Sequence, residues 1–169
     1  EVIEAMHLFG LPLEGIECVL HRESYVHSLV EFIDGSIIAQ ISSHDMRLPI
    51  AYALYHPTRT ANPTTRLDLA AIGKLSFAPL DLERYPCLRH AYAAAARGGN
   101  APAALNAANE VAVALFLAGT IPFLAIEDIV GQAITDIQFI ERPTLAELLE
   151  TDAAVRAAVK GRYTRPILI

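Results

Sequence analysis

From Tyr85 onward the chain is punctuated like a row of helices, and that punctuation limits the folds open to it. Pro86 suits the first turn of a helix, and Gly98-Gly99 ends that helix. A second helix is predicted from about Pro102 to Ala118, stopped by Gly119, and a third from about Leu124 to Thr135. A fourth runs from about Thr144 to Lys160, with Thr144 and Glu147 at the spacing of a capping box. The whole stretch is rich in alanine. Four helices with short connections predict a small antiparallel bundle.

The part before Tyr85 reads differently. Glu1 to Phe9 is helical, stopped by Gly10 and barred by Pro12. Residues 16–20 read as a short strand, and residues 25–33 and 36–42 as a β-hairpin. Asp34-Gly35 is taken as its two-residue turn. That turn sets Phe32 opposite Ile37, Val30 opposite Ala39 and Ser28 opposite Ile41, an apolar face expected to pack on helices. The other face carries His27, Leu29 and Glu31 and is half polar. Asp45 is placed to cap a helix from Met46 to Tyr55, ended by Pro57. Residues 57–84 look irregular, with a short extended piece from Lys74 to Phe77.

The fold class is therefore α+β: a short β-sheet or hairpin with flanking helices, followed by a C-terminal four-helix bundle. Residues 1–56 form the first part, 57–84 a connector, 85–160 the bundle and 161–169 a tail expected to be extended and to dock on a neighbour. The opening Glu1-Val2-Ile3-Glu4-Ala5 is already in helical phase with nothing before it to cap the helix. The chain is thus read as the back part of a longer protein.

Composition excludes several function classes. Hydrophobic residues make up 53% of the chain, ample for a core. A net charge of −6 and a pI near 5.4 argue against a nucleic-acid binder. No apolar run reaches the roughly 20 residues of a membrane span. Cys18 and Cys87 have no metal-type spacing and are read as reduced core thiols of a cytoplasmic protein.

Few residues suggest chemistry. Glu1 and Glu4 lie one helical turn apart, and paired carboxylates suit a hard divalent cation; a solvated helix face is the competing reading. His7, His21 and His27 lack ligand spacing, which removes a His/Glu metallohydrolase from consideration; His27, on the half-polar face, is the best functional candidate. Asn106, Asn109 and Glu110 share one helix face and read as a buried hydrogen-bond network locking the bundle.

Six stretches in fixed order carry a resemblance: Glu1-Val-Ile-Glu-Ala, Val26-His27-Ser28, Asp34-Gly35-Ser36, Asp45-Met46-Arg47-x-Pro49-Ile50, Arg84-Tyr85-Pro86-Cys87-Leu88, and Ala104-Leu-Asn-Ala-Ala-Asn-Glu110. Together they resemble the C-terminal part of 1-deoxy-D-xylulose 5-phosphate reductoisomerases, over nearly all of residues 1–140. The resemblance implies a parent enzyme that converts this sugar phosphate to 2-C-methyl-D-erythritol 4-phosphate in non-mevalonate isoprenoid biosynthesis. It implies NADPH and Mg²⁺ or Mn²⁺ as cofactors. Residues 1–56 would then be the C-terminal part of the catalytic domain.

By the same resemblance Glu1 matches a metal-binding carboxylate in a segment that also holds substrate. His27 matches a histidine close to the active-site pocket, and Met46 a methionine near the nicotinamide. The hairpin matches the sheet the family uses to form homodimers. Arg22-Glu23 departs from the Pro-Gln common in relatives. The resemblance places the other metal carboxylates and the NADPH site upstream, so the chain alone is expected neither to bind NADPH nor to turn over substrate. The alternative is a stand-alone, non-catalytic dimerisation or binding module.

Overall fold

The computed structural model describes residues 1–163; residues 164–169, and with them most of the expected tail, lie outside the described residues. The elements run α1 (Val2–Phe9), a 3₁₀ turn at Leu13–Gly15, β1 (Val19–Leu20), β2 (Val26–Glu31), β3 (Ile37–Ile41), α2 (Arg47–Tyr55), α3 (Leu69–Ile72), β4 (Ala78–Pro79), α4 (Pro86–Arg97), α5 (Ala101–Leu117), α6 (Ala125–Asp136) and α7 (Leu145–Tyr163). Helices alongside two small sheets make the α+β class. The chain divides into two compact units. A helical unit combines Glu1–Glu17 with Asp81 onward, and a hairpin unit spans Cys18–Leu80. This grouping differs from the linear division at residues 56 and 84: α1 belongs with the helices, and α2 with the hairpin and the segment after it.

The helical unit is built around α5. Ala101, Ala104, Ala107, Ala108, Val111, Ala112 and Leu115 recur at helical spacing and are all buried. Their small side chains let α4, α6 and α7 pack directly on α5. Val130, Ile129 and Ile134 of α6 and Val155 and Val159 of α7 complete the core. α1 and the 3₁₀ turn pack on α4, where the Tyr92 hydroxyl donates to the Ile16 carbonyl at 3.2 Å. The capping box at the start of α7 is reciprocal. The Thr144 N–H donates to Glu147 Oε2 at 2.7 Å, and the Glu147 N–H to Thr144 Oγ1 at 3.3 Å. α7 continues through Tyr163, so Gly161 to Tyr163 are helical where a tail was expected.

The polar centre of this unit is Asn100, 1% exposed, just after Gly98-Gly99. Its amide donates to the Gln138 carbonyl and to Thr151 Oγ1, both at 3.0 Å, and its side-chain oxygen accepts the Ile140 N–H at 3.0 Å. One residue thereby ties the α4–α5 turn, the α6–α7 connection and α7 together. Gly99 is required beside it. Its φ is +57°, and an added Cβ would lie 2.2 Å from the Ile140 carbonyl oxygen.

The hairpin unit has no residue below the half-buried range among its members, in contrast to the alanine-lined core. β2 and β3 pair with Leu29 opposite Ala39, Val30 opposite Ile38 and Glu31 opposite Ile37, one residue away from the expected register. The loop holds three residues, not two. Gly35 takes φ +81° after a turn in which its N–H donates to the Phe32 carbonyl, so Asp34-Gly35 closes a turn with a glycine bulge. The apolar face expected to pack on helices is not covered: Leu29 and Ile37 on one face, and Val30 and Ile38 on the other, are all exposed. β1 pairs with β4, Val19 opposite Pro79 and Leu20 opposite Ala78, so the extended piece forms at 78–79 and not at 74–77.

Candidate functional site

Glu1 belongs to the helical unit, His27 and Met46 to the hairpin unit. Glu1 precedes α1, and both its side chain and that of Glu4 stand in solvent. Among the described residues no three His, Cys, Asp or Glu side chains gather where they could hold a metal ion. One exposed carboxylate does not make a site for a hard cation, which takes about six or more oxygens. The residues present therefore do not fit a metal centre by themselves.

His27 sits at an irregularity that its sequence does not announce. Val26 pairs with Ile41 while Ser28 pairs with Gln40, so His27 is the extra residue of a β-bulge. Its Nε2–H donates to the Ser42 carbonyl at 3.2 Å, which fixes the ring on the opposite strand. Ser42 in turn donates its N–H to the Tyr25 carbonyl at 3.0 Å.

The chain then bends into α2. The Asp45 N–H donates to the Ser43 carbonyl at 2.8 Å. The Asp45 carboxylate accepts the Arg47 backbone N–H at 3.0 Å and grips the Arg47 guanidinium through Nε and Nη2. These bonds, led by those from the Arg47 side chain, hold the Asp45 carboxyl at about 2 against an ordinary 3.8. Met46 lies between the two, 70% exposed, in the position flanking the helix start. The helix starts at Arg47 and not at Met46, with Met46 rather than Asp45 in the cap position and no side-chain cap there; the Asp45 carboxylate reaches the Arg47 N–H from one residue further out.

Upstream of β2, His21, Glu23 and Ser76 clasp the two ends of the hairpin unit. His21 Nε2 accepts the Tyr25 N–H at 3.1 Å, so its Nδ1–H donates to the Ser76 carbonyl at 2.9 Å, with the Glu23 carboxylate 3.1 Å away. The Ser76 hydroxyl and N–H both donate to Glu23, which lowers that carboxyl from its ordinary value. Ser76 gives both its hydroxyl hydrogen and its N–H to the one carboxylate, which joins the two ends as a structural clasp. The departure at Arg22-Glu23 thus puts a carboxylate into a hydrogen-bonded role.

Asn106 and Glu110 are exposed, against the expectation of a buried network; Asn109 is half-buried. Glu110 accepts from Asn106 and pairs with Arg156 of α7, which also grips Asp152, so the cluster is a surface bridge between α5 and α7. The buried network of the bundle is that of Asn100. Cys87 is exposed rather than in the core, with its thiol pushed up by partial burial and by the charge of Glu127. Cys18 is half-buried. No helix among the described residues is long and apolar enough to cross a membrane.

Residues 41–158 match the family model described as the DXP reductoisomerase C-terminal domain. The chain belongs to the DXP reductoisomerase family. It is 55% identical over 162 residues to the 1-deoxy-D-xylulose 5-phosphate reductoisomerase of Geobacillus kaustophilus, covering 95% of this chain and 42% of that protein. Against the enzyme of the same name from Bacillus subtilis it is 51% identical over 165 residues, covering 97% of this chain and 43% of the relative. The chain therefore spans less than half the length of the curated relatives it matches. Among solved structures, the reductoisomerase from Zymomonas mobilis in complex with NADPH superposes with a TM-score of 0.88 at 40% identity, covering 97% of this chain and 43% of that one. A DOX-P reductoisomerase in complex with NADPH, fosmidomycin and magnesium gives a TM-score of 0.89 at 40% identity, over 96% of this chain and 42% of that one.

Proposed function

We propose that this chain supplies the C-terminal portion of a reductoisomerase that converts 1-deoxy-D-xylulose 5-phosphate to 2-C-methyl-D-erythritol 4-phosphate in the cytoplasm, with NADPH and Mg²⁺ or Mn²⁺. The observation that carries this reading is 55% identity along 95% of the chain to an enzyme of that name. The NADPH and magnesium complexes of structural relatives support the cofactors. Residues 1–56 then complete a catalytic domain, and 85–160 form its C-terminal helical domain.

Within that enzyme Glu1 is one ligand of the divalent ion and touches substrate, and the parent supplies the remaining carboxylates. When bound, the ion acts as a Lewis acid on the substrate's oxygens. Among the described residues this chain does not gather a complete site for that ion. His27 stands beside the pocket, supported by its bulge, a device that re-aims side chains next to active sites. Met46 stands against the nicotinamide, supported by its exposure at a rigid helix start.

The hairpin forms a homodimer contact. Val30, Ile33, Ile37 and Ile38 are exposed on one two-stranded ribbon, a larger apolar patch than a lone surface residue. Ile38→Glu should lower the assembly state seen by sedimentation; an unchanged state would overturn the interface.

The test of the activity is a chimera: the preceding part of the Geobacillus kaustophilus enzyme joined to Glu1. It should oxidise NADPH only with the sugar phosphate and Mg²⁺ or Mn²⁺ present, whereas the isolated chain should not. A folded, NADPH-binding chimera without turnover would overturn the assignment and favour a non-catalytic module. Turnover by the isolated chain would overturn the division of the site.

A further inference from the structure

Met46 poses a physical problem. At 70% exposure its side chain is not held by packing, and a thioether with three rotatable bonds is among the least ordered side chains. Its backbone, by contrast, is held on both sides. The Asp45 carbonyl accepts the Leu48 N–H at 3.1 Å, and the Met46 carbonyl accepts the Ile50 N–H at 3.1 Å. The Asp45 carboxylate reaches across Met46 to the Arg47 N–H and guanidinium, closing a three-residue clip with the methionine at its apex.

A second tether comes from outside the helix. Asn62 Nδ2 donates to the Arg47 carbonyl at 3.2 Å, while its Oδ1 accepts the Thr64 N–H at 3.0 Å. The loop at 62–64 is thereby tied to the first turn of α2. An arginine beside a dinucleotide is the obvious partner for a phosphate, but this guanidinium has two of its nitrogens on Asp45.

We propose that Asp45 and Asn62 are positioning residues that fix the Met46 backbone, so that its side chain meets the cofactor from one direction. Arg47 serves the clip and not a phosphate. The proposal rests on the reading of Met46 as a nicotinamide contact, and deepens it by naming what holds the contact in place.

Two measurements separate the proposal from that reading. In the chimera described above, Met46→Ala and Asp45→Ala should each raise the KM for NADPH roughly tenfold, as misplacement of a contact does, with the KM for the sugar phosphate little changed. The double variant should be no worse than Met46→Ala, because both changes remove one and the same contact. Asp45→Asn keeps an acceptor for the Arg47 N–H and should restore part of the affinity. In this chain itself, Asp45→Ala and Asn62→Ala should speed hydrogen exchange at the amides of 46–50 about tenfold or more.

If Met46→Ala leaves the KM unchanged, the cofactor reading of Met46 falls and takes the proposal with it. If Met46→Ala raises the KM and Asp45→Ala does not, or if their effects add, the reading stands and the positioning role is overturned. Unchanged exchange in both tether variants overturns the clip itself. A purely structural role for Asp45 would move thermal stability without separating the two Michaelis constants.

Discussion

Val130 and Val30 are both valines in regular structure, yet the first is 2% exposed and the second 56%. Val130 belongs to a unit whose central helix presents alanines to three neighbours; Val30 belongs to a ribbon whose two faces both look outward. The difference teaches what each unit is for. The helical unit holds its shape through its own core and through one buried asparagine. The hairpin unit holds its shape through local clasps such as those of Asp45, His21 and Glu23, and leaves its apolar side chains exposed.

The strongest way to break the helical side of this comparison is Gly99→Ala. The new Cβ would collide with the Ile140 backbone at a positive φ, and a loss of about 4 kcal/mol is expected in urea unfolding followed by circular dichroism. A loss under about 1 kcal/mol would mean that the Asn100 latch is adjustable. Next comes a matched pair. Val130→Ala should cost about 2 kcal/mol through a buried void, while Val30→Ala should stay within about 0.5 kcal/mol in the isolated chain. Equal costs would erase the distinction between the units. Thr144→Ala, which opens the capping box of α7, should cost about 1 kcal/mol.

The smallest expected effect sharpens the hairpin side. The Asp45 carboxyl is depressed to about 2, so its contribution is complete above its ordinary value of 3.8 and is lost as the pH falls through about 2. The first turn of α2 should loosen across that acid window, read as faster exchange of the Arg47 amide. The Ile140 amide, whose partner is the non-titrating Asn100, should not follow. Parallel changes at both amides would show that the two units do not respond separately.

Much of this was legible in the residues. The four helices of the bundle were found because proline, glycine and the capping box mark ends within an alanine-rich stretch. The hairpin was found but its register was not. Asp34-Gly35 serves equally a two-residue turn and a three-residue loop that ends in glycine, and the two differ by one residue along the whole ladder. Pairing of β1 with β4 joins residues about sixty positions apart, which no local pattern shows. The bulge at His27 left no mark either. Asn100 was not singled out: it follows Gly98-Gly99 at a helix start, where an asparagine ordinarily serves a turn or cap, so nothing local marks its interior role. Glu1 and His27 stood out as candidates by spacing and by strand face, but their roles, and Met46 altogether, were named from family resemblance, because an exposed carboxylate, imidazole or thioether has no distinctive pattern of its own.

The interleaving of the units carries a kinetic consequence. The helical unit is assembled from two stretches separated by the roughly sixty residues of the hairpin unit, so its first helix joins α4 only after that loop closes. Closure of a flexible loop of this length costs on the order of 4 kcal/mol in chain entropy before any contact repays it. Val19 and Leu20 pair with Pro79 and Ala78 across the stems of that loop, like the neck of a drawstring bag, so whichever contact forms first carries the closure cost for the other. If the neck forms first, α1 finds its place on α4 as a nearly local contact. If it does not, α1 is the last helix to arrive and the first to leave.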